Sequence, residues 1–315
     1  MRKPPTLILE VVALTAAVAV AAAVSLVSKS TAKPAVLYAP TVLGSQPDGA
    51  VVVAQEDRDL AVALALKPQS GKLLALVTAL DQEGTGAAGL DVRVSVATRG
   101  GATVSATAQP GPLGTYQALL PASGRPESAT VDVAGPGAAA KPLRFALTGA
   151  WPPRPATALL AKVDRAYTRL TSLVTHERLA SSPTNAIVSV YHAVAPSTLE
   201  IVSSNGLRAI VIGNRRWDKS GGGPWRESPQ QPPIASIAPF WSGVIEDPTV
   251  LRRTTYEGRP ATVLSFAAPQ IPAFFEITVD DTTDRTVDLR MTASAHFMHH
   301  RYGPFNTTLA IRPPG

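Results

Sequence analysis

Residues 172–213 read SLVTHERLASSPTNAIVSVYHAVAPSTLEIVSSNGLRAIVIG. The runs SLVTHERLAS, AIVSVYHAV, TLEIVSS and LRAIVIG are short, rich in β-branched residues, and set apart by proline, asparagine and glycine, the pattern of strands between turns. Connections as tight as Ser204-Asn205-Gly206 leave no room for a crossover, so neighbours in sequence pair antiparallel. The rhythm resumes downstream in TVLRRTTYEG, ATVLSFAA, FFEITVD, one long run TVDLRMTASAHFMHHRY, and TTLAIRP. Glu257-Gly258 and Asp280-Asp281-Thr282-Thr283-Asp284 supply turns. A single curved antiparallel sheet is predicted. It is interrupted by a Trp- and Gly-rich loop after Gly213 and by a lid-like crossover between Trp225 and Pro248, with one helical turn at Pro239–Gly243.

Upstream of this sheet, TALLAKVDRAYTRL (157–170) places Leu159, Leu160, Val163, Ala166, Tyr167 and Leu170 at helical spacing with charges between them, so one amphipathic helix packs on the sheet. A Pro-rich linker, 149–156, precedes it. Residues 50–148 form another series of short runs, AVVVA, DLAVALAL, KLLALVTAL, LDVRVSVAT, ATVSATA, GTYQALL, ATVDVAG and LRFAL, which predicts an immunoglobulin-like β-sandwich of seven or eight strands. Tyr116 and Phe145 are its only aromatic residues, so its core is built from Val, Leu and Ala. Residues 29–49 read as a linker and 1–28 as a membrane anchor or signal segment: Leu7 to Val27 is apolar but for Glu10 and small hydroxyls, with Arg2 and Lys3 before it and Lys29 and Lys33 after, and its Ala-rich end also resembles a cleavable signal. An uncleaved transmembrane helix, single-pass in the cell membrane with the remainder extracytoplasmic, is expected. The fold class is therefore mainly β: a transmembrane helix, a sandwich (50–148), then a curved antiparallel half-barrel packed on one or more helices (157–315).

Composition narrows the function. Charged residues make up 17% and apolar residues 45%, which excludes wholesale disorder. The 29 Lys+Arg and 23 Asp+Glu give a net charge of +6, but the basic residues are scattered; the runs Arg215-Arg216 and Arg252-Arg253 lack the interleaved aromatics that stack bases, so no nucleic-acid partner is expected. With no cysteine there is no disulfide, no thiolate metal site and no cysteine to carry a lipid.

Motifs resembling catalytic signatures fail in context. GTGAAG (84–89) has the glycines of a dinucleotide loop but runs into the strand-like LDVRVSVAT instead of a helix, so it is a hairpin loop. His176-Glu177-Arg178-Leu179-Ala180 starts like a zinc-protease helix but lacks the second histidine. Asp280, Asp281 and Asp284 cap a turn rather than bind calcium. No catalytic residue and no cofactor is assigned. His296, Met298, His299 and His300 combine imidazole with thioether, a copper-type donor set, although on a strand His299 points away from the other three. Fourteen of the 17 aromatic residues lie at or after Trp151, an excess that suits an apolar pocket between a curved sheet and its helix.

Residues 155–314 resemble the LolA/LppX-type lipoprotein-carrier fold, an eleven-stranded half-barrel closed by helices. The matching pieces are Tyr167-x-x-Leu170-x-Ser172, Glu177-x-Leu179-x-Ser181, Trp217 with Trp225-Arg226-x-Ser228, the hairpin VDDTTDRTVDLRM, and Tyr302-Gly303-Pro304-Phe305-Asn306 before Ile311-Arg312-Pro313-Pro314. Residues 50–148 resemble immunoglobulin-like domains of the YtkA/CopC kind through Gly114-Thr115-Tyr116-Gln117-Ala118 and Gly124-Arg125-Pro126. The first resemblance implies a non-enzymatic binder of a lipid or other hydrophobic small molecule, with Trp217, Trp225, Phe275, Phe297, Met298 and Tyr302 as candidate ligand contacts. The second is associated with copper-handling membrane proteins, although residues 50–148 hold no His, Met or Cys; the alternatives are a copper-binding accessory of such a protein using His296, Met298, His299 and His300, or a ligand-free sensor or scaffold.

Overall fold

The computed structural model describes residues 43–44, 46–121, 124–139, 141–147, 149–182, 185–232, 234, 236–242, 245–269 and 271–315. The apolar run at Leu7–Val27 and most of the 29–49 linker lie outside them. Among the described residues no helix is long and apolar enough to cross a membrane.

The chain is mainly β and its sheets are antiparallel and open. Its first unit holds β1 (Val51–Asp57), β2 (Leu60–Gln69), β3 (Lys72–Leu80), β4 (Asp91–Thr98), β5 (Thr103–Thr107), β6 (Gln109–Pro110), β7 (Thr115–Leu120), β8 (Pro126–Ala134) and β9 (Leu143–Ala146). They form two facing sheets, ordered β1-β2-β3-β7-β6 and β5-β4-β8-β9. Val62, Leu64 and Leu66 of β2 meet Val92, Val94, Val96 and Val131 between the sheets. Tyr116 locks one end, its hydroxyl donating to the Ala87 carbonyl (2.7 Å) and accepting from the Leu90 amide (3.3 Å). The glycine-rich loop is spaced for packing: a Cβ on Gly86 would stand 2.1 Å from the Leu113 carbonyl carbon.

The second unit opens with β10 (Arg154–Pro155) and the helix α1 (Thr157–Tyr167), which ends three residues short of the predicted Leu170. There follow β11 (Ser172–Ser182), β12 (Asn185–Val194), β13 (Thr198–Ser203), β14 (Leu207–Ile212), β15 (Arg215–Ser220) and β16 (Arg226–Pro229). After the crossover come β17 (Glu246–Tyr256), β18 (Arg259–Ala268), β19 (Ala273–Asp280), β20 (Arg285–Ala293) and β21 (His296–Phe305). One twelve-stranded sheet holds them in the order β10-β17-β18-β19-β20-β21-β11-β12-β13-β14-β15-β16. The last strand returns to the first, so two meanders join at β21 and β11.

Three local expectations are corrected. The run 286–302 is not one strand: it folds back at Ser294-Ala295, where Ala295 takes φ +47°, and gives the β20–β21 hairpin. The Trp- and Gly-rich stretch after Gly213 is not all loop but carries β15 and the edge strand β16, both rich in charged residues and therefore hard to recognise by apolar alternation. TTLAIRP is not a strand; residues 307–315 leave the sheet without a ladder. In the crossover, the Ser242 amide donates to the Pro239 carbonyl in a turn (3.0 Å), while Gly243 lies outside the described residues.

The two units share a core. The back of the first sheet, through Val52, Ala61, Ala63 and Ala65, packs on Ala267 and Phe274 of the half-barrel's convex face, and Leu251 and Val263 join the sandwich core. This explains why β2 is buried on both faces from Leu60 to Leu66. Period-two alternation between large and small apolar residues sends the large ones into the sandwich and the alanines to the junction, where sheets approach closely.

Candidate functional site

Alternation along β11 sends Leu173, Thr175, Glu177 and Leu179 to the concave face, against α1. Antiparallel register then places Tyr302, His300 and Met298 of β21 beside Thr175, Glu177 and Leu179, and Tyr191, Ser189 and Ile187 of β12 on the other side. Glu177 is therefore an inward carboxylate, only 4% exposed. A buried charge requires partners, and the fold supplies them from strands far apart in sequence. The His300 Nε2–H donates to Glu177 Oε2 at 2.8 Å, and the Tyr191 hydroxyl donates to Glu177 Oε1 at 2.7 Å. With that ring nitrogen donating, Nδ1 of a neutral His300 accepts from the Tyr302 hydroxyl at 3.0 Å. Burial pushes the Tyr191 phenol far up, and the adjacent Glu177 charge adds to the shift; burial likewise raises Tyr302, so both remain donors. Both oxygens of Glu177 and both ring nitrogens of His300 are engaged within the sheet, and the pair secures the β21–β11–β12 register.

Over one half of the concave face lies a cover made of α1 and the crossover. Val163 and Tyr167 of α1 and the fully buried Trp241 pack on β17–β21. Phe266 and Phe275 stack with centroids 5.0 Å apart, Trp241 lies 6.0 Å from Phe266, and Phe240 sits 6.0 Å from both Phe275 and His300. Ser242 Oγ donates to Asp164 Oδ1 at 3.0 Å, tying the crossover to the helix. On the other half the same face continues as an apolar stretch over β12–β14. Its rows are Tyr191–Ile201–Ala209 and Ala193–Leu199–Val211, closed at β15 by the bidentate Arg216–Asp218 pair (2.7 Å). Tyr191, Ala193 and Leu199 are only partly buried. At about 4.8 Å between strands, β12 to β15 gives a trough ~14 Å across.

Of the residues singled out from sequence, Phe275, Met298 and Tyr302 come together on the concave face. Phe297 does not: it points from the convex face toward the sandwich. Trp217 sits on the side of the sheet opposite Ala209 and Val211, its indole donating to Glu227 Oε2 (3.1 Å) and its ring under Arg215 (4.6 Å). Trp225 lies at the β15–β16 turn with Arg208 5.8 Å from its ring. The proposed copper donors divide as well. His296, Met298 and His300 face inward, whereas His299 faces out and holds Asp288 at 2.7 Å; among the described residues no cluster of three or more His, Asp or Glu could hold a metal ion.

Glu177 and Tyr191, absent from the predicted contacts, had a readable signal. Glu177 shares strand parity with Leu173 and Leu179, which implies an inward carboxylate needing a partner. Which residue answers it depends on pairing 123 positions away.

No protein-family model matches the sequence, and no curated protein matches it. Among solved structures, the crystal structure of the Mycobacterium tuberculosis lipoprotein LppX aligns at 14% identity and a TM-score of 0.38, covering 49% of this chain and 97% of that one. LprF from Mycobacterium bovis aligns at 12% identity and 0.39, covering 51% and 99%.

Proposed function

We propose that this chain binds a lipid or other hydrophobic small molecule in the trough over β12–β14, without chemistry on it, and that the apolar run at 7–27 holds it in a membrane with the folded units extracytoplasmic. One observation carries the reading. On the inward face of the sheet α1 and the crossover cover β17–β21, while beyond the buried Glu177–His300 pair the apolar stretch over β12–β14 leaves Tyr191, Ala193 and Leu199 only partly buried. Partly open apolar floor in a concave site is what a hydrophobic ligand completes. At about 25 cal/mol per Å², burying ~250 Å² of ligand supplies ~6 kcal/mol. The engaged state of Glu177 and His300 supports a binding role over acid–base catalysis.

Native mass spectrometry of the full chain, with uptake of a neutral fluorescent diacylglycerol, tests this. A co-purifying species of lipid mass is expected, and Leu199→Trp, which fills the trough, should cut uptake at least fivefold. A bare polypeptide that takes up no neutral lipid would overturn the reading.

A further inference from the structure

A second cavity lies on the opposite side of the half-barrel sheet, where the sandwich meets it. Register aligns Glu276, Arg290, His299 and Arg178 directly across β19, β20, β21 and β11, and Phe274, Thr292, Phe297 and Ala180 in the next row. All eight carry the parity of the convex face. The second row is apolar and runs under β1 of the sandwich, through Ala54. Between it and the charged row a cleft of about 440 Å³ opens, bounded on the sandwich side by Gln55 and Glu56 and on the other by Arg178, Arg290 and His299.

Charges along this wall are unevenly matched. Glu276 is held by Arg252 at 3.3 Å and His299 by Asp288 at 2.7 Å. Arg178 and Arg290 are exposed and, among the described residues, neither guanidinium has a carboxylate within ion-pair distance. They stand on either side of His299, two strand spacings or ~10 Å apart, close enough for both long side chains to reach one anionic group. Glu56 faces them from β1. Burial raises its carboxyl above the ordinary value, Arg178 opposing, and its Oε1 is buried without a hydrogen-bond partner.

From this geometry we infer that the cleft between the sandwich and the convex face binds an organic anion with an apolar portion, its carboxylate or phosphate between Arg178 and Arg290 and its apolar part between the partly buried Phe297 and Ala54 of the sandwich. This site is separate from the trough, on the other face of the sheet, and does not depend on the function proposed for it. Because the ligand touches both units, it binds only when they are docked and stabilises the junction by mass action.

Calorimetric titration of the full chain with decanoate tests the inference. Saturable binding is expected, weakened at least tenfold in the double variant Arg178→Gln/Arg290→Gln and equally weakened when methyl decanoate replaces decanoate on the native chain. Leu199→Trp should leave decanoate affinity unchanged while lowering neutral-lipid uptake. Native affinity in the double variant, or equal binding of the neutral ester, would overturn the proposal, as would absence of binding. Loss of decanoate binding in Leu199→Trp alone would move the site to the trough. Inorganic phosphate binding as tightly as decanoate would show a charge pair with no apolar subsite, and that too refutes it.

Discussion

At the residue scale the Glu177–His300 pair ties β11, the strand after α1, to β21, the last strand in chain order. Removing one partner leaves the other buried charge or dipole unmatched. His300→Ala should destabilise by about 3–5 kcal/mol. Replacing both residues by leucine should cost less than the sum of the single leucine variants by over ~1 kcal/mol, since neither is then stranded; guanidinium unfolding checks both. His296 lies inward on the same strand. Burial holds its imidazole below the ordinary 6.5, with Glu177 opposing and His300 adding to the shift. As pH falls through 6.5 the unfolded chain takes up a proton that the folded chain refuses, so this contribution is intact above that pH and erodes below it. The urea midpoint should drop between pH 7.5 and 5.5, and His296→Gln should flatten that slope.

Among the elements, the crossover between β16 and β17 shapes the cavity. Trp241 is fully buried against Phe266, while its neighbour Phe240 reaches Phe275 and His300. Trp241→Ala should cost about 3–5 kcal/mol through lost burial and the void left behind, measured by chemical denaturation. Strand parity made most elements readable: the eight runs of the sandwich, α1 and the meander SLVTHERLAS to LRAIVIG occur where alternation or helical period places them. What alternation missed has physical causes. β16 is the edge strand and β15 its neighbour, and both carry arginine with aspartate or glutamate near the end of the sheet, where no continuous apolar face is required. The β20–β21 turn at Ser294-Ala295 uses alanine at positive φ, a conformation that no glycine or asparagine advertises.

Across the whole molecule, the sandwich is a structural partner of the half-barrel. Val52, Ala61, Ala63 and Ala65 cover Ala267 and Phe274, and Gly149 in the linker passes so near β17 that a Cβ would stand 2.2 Å from the Leu251 carbonyl oxygen. The two units should unfold together in one calorimetric transition of the full chain. Residues 151–315 expressed alone, with Phe274, Leu251 and Val263 uncovered, should bind a hydrophobic dye and unfold at a lower temperature; two well-separated transitions in the full chain would contradict this shared core.

Local pattern was enough for most strand positions, the amphipathic helix, the absence of cysteine chemistry and the shared parity of His296, Met298 and His300 against His299, because each follows from side-chain direction over a few residues. Three-dimensional pairing was needed to bring Glu177 to His300, to turn Phe297 and Phe274 toward the sandwich, to carry Trp241 onto Phe266, and to form the cleft beside Arg178 and Arg290. Those contacts join positions remote in the chain, and they exist only after register is chosen and two apolar sheet faces have found one another.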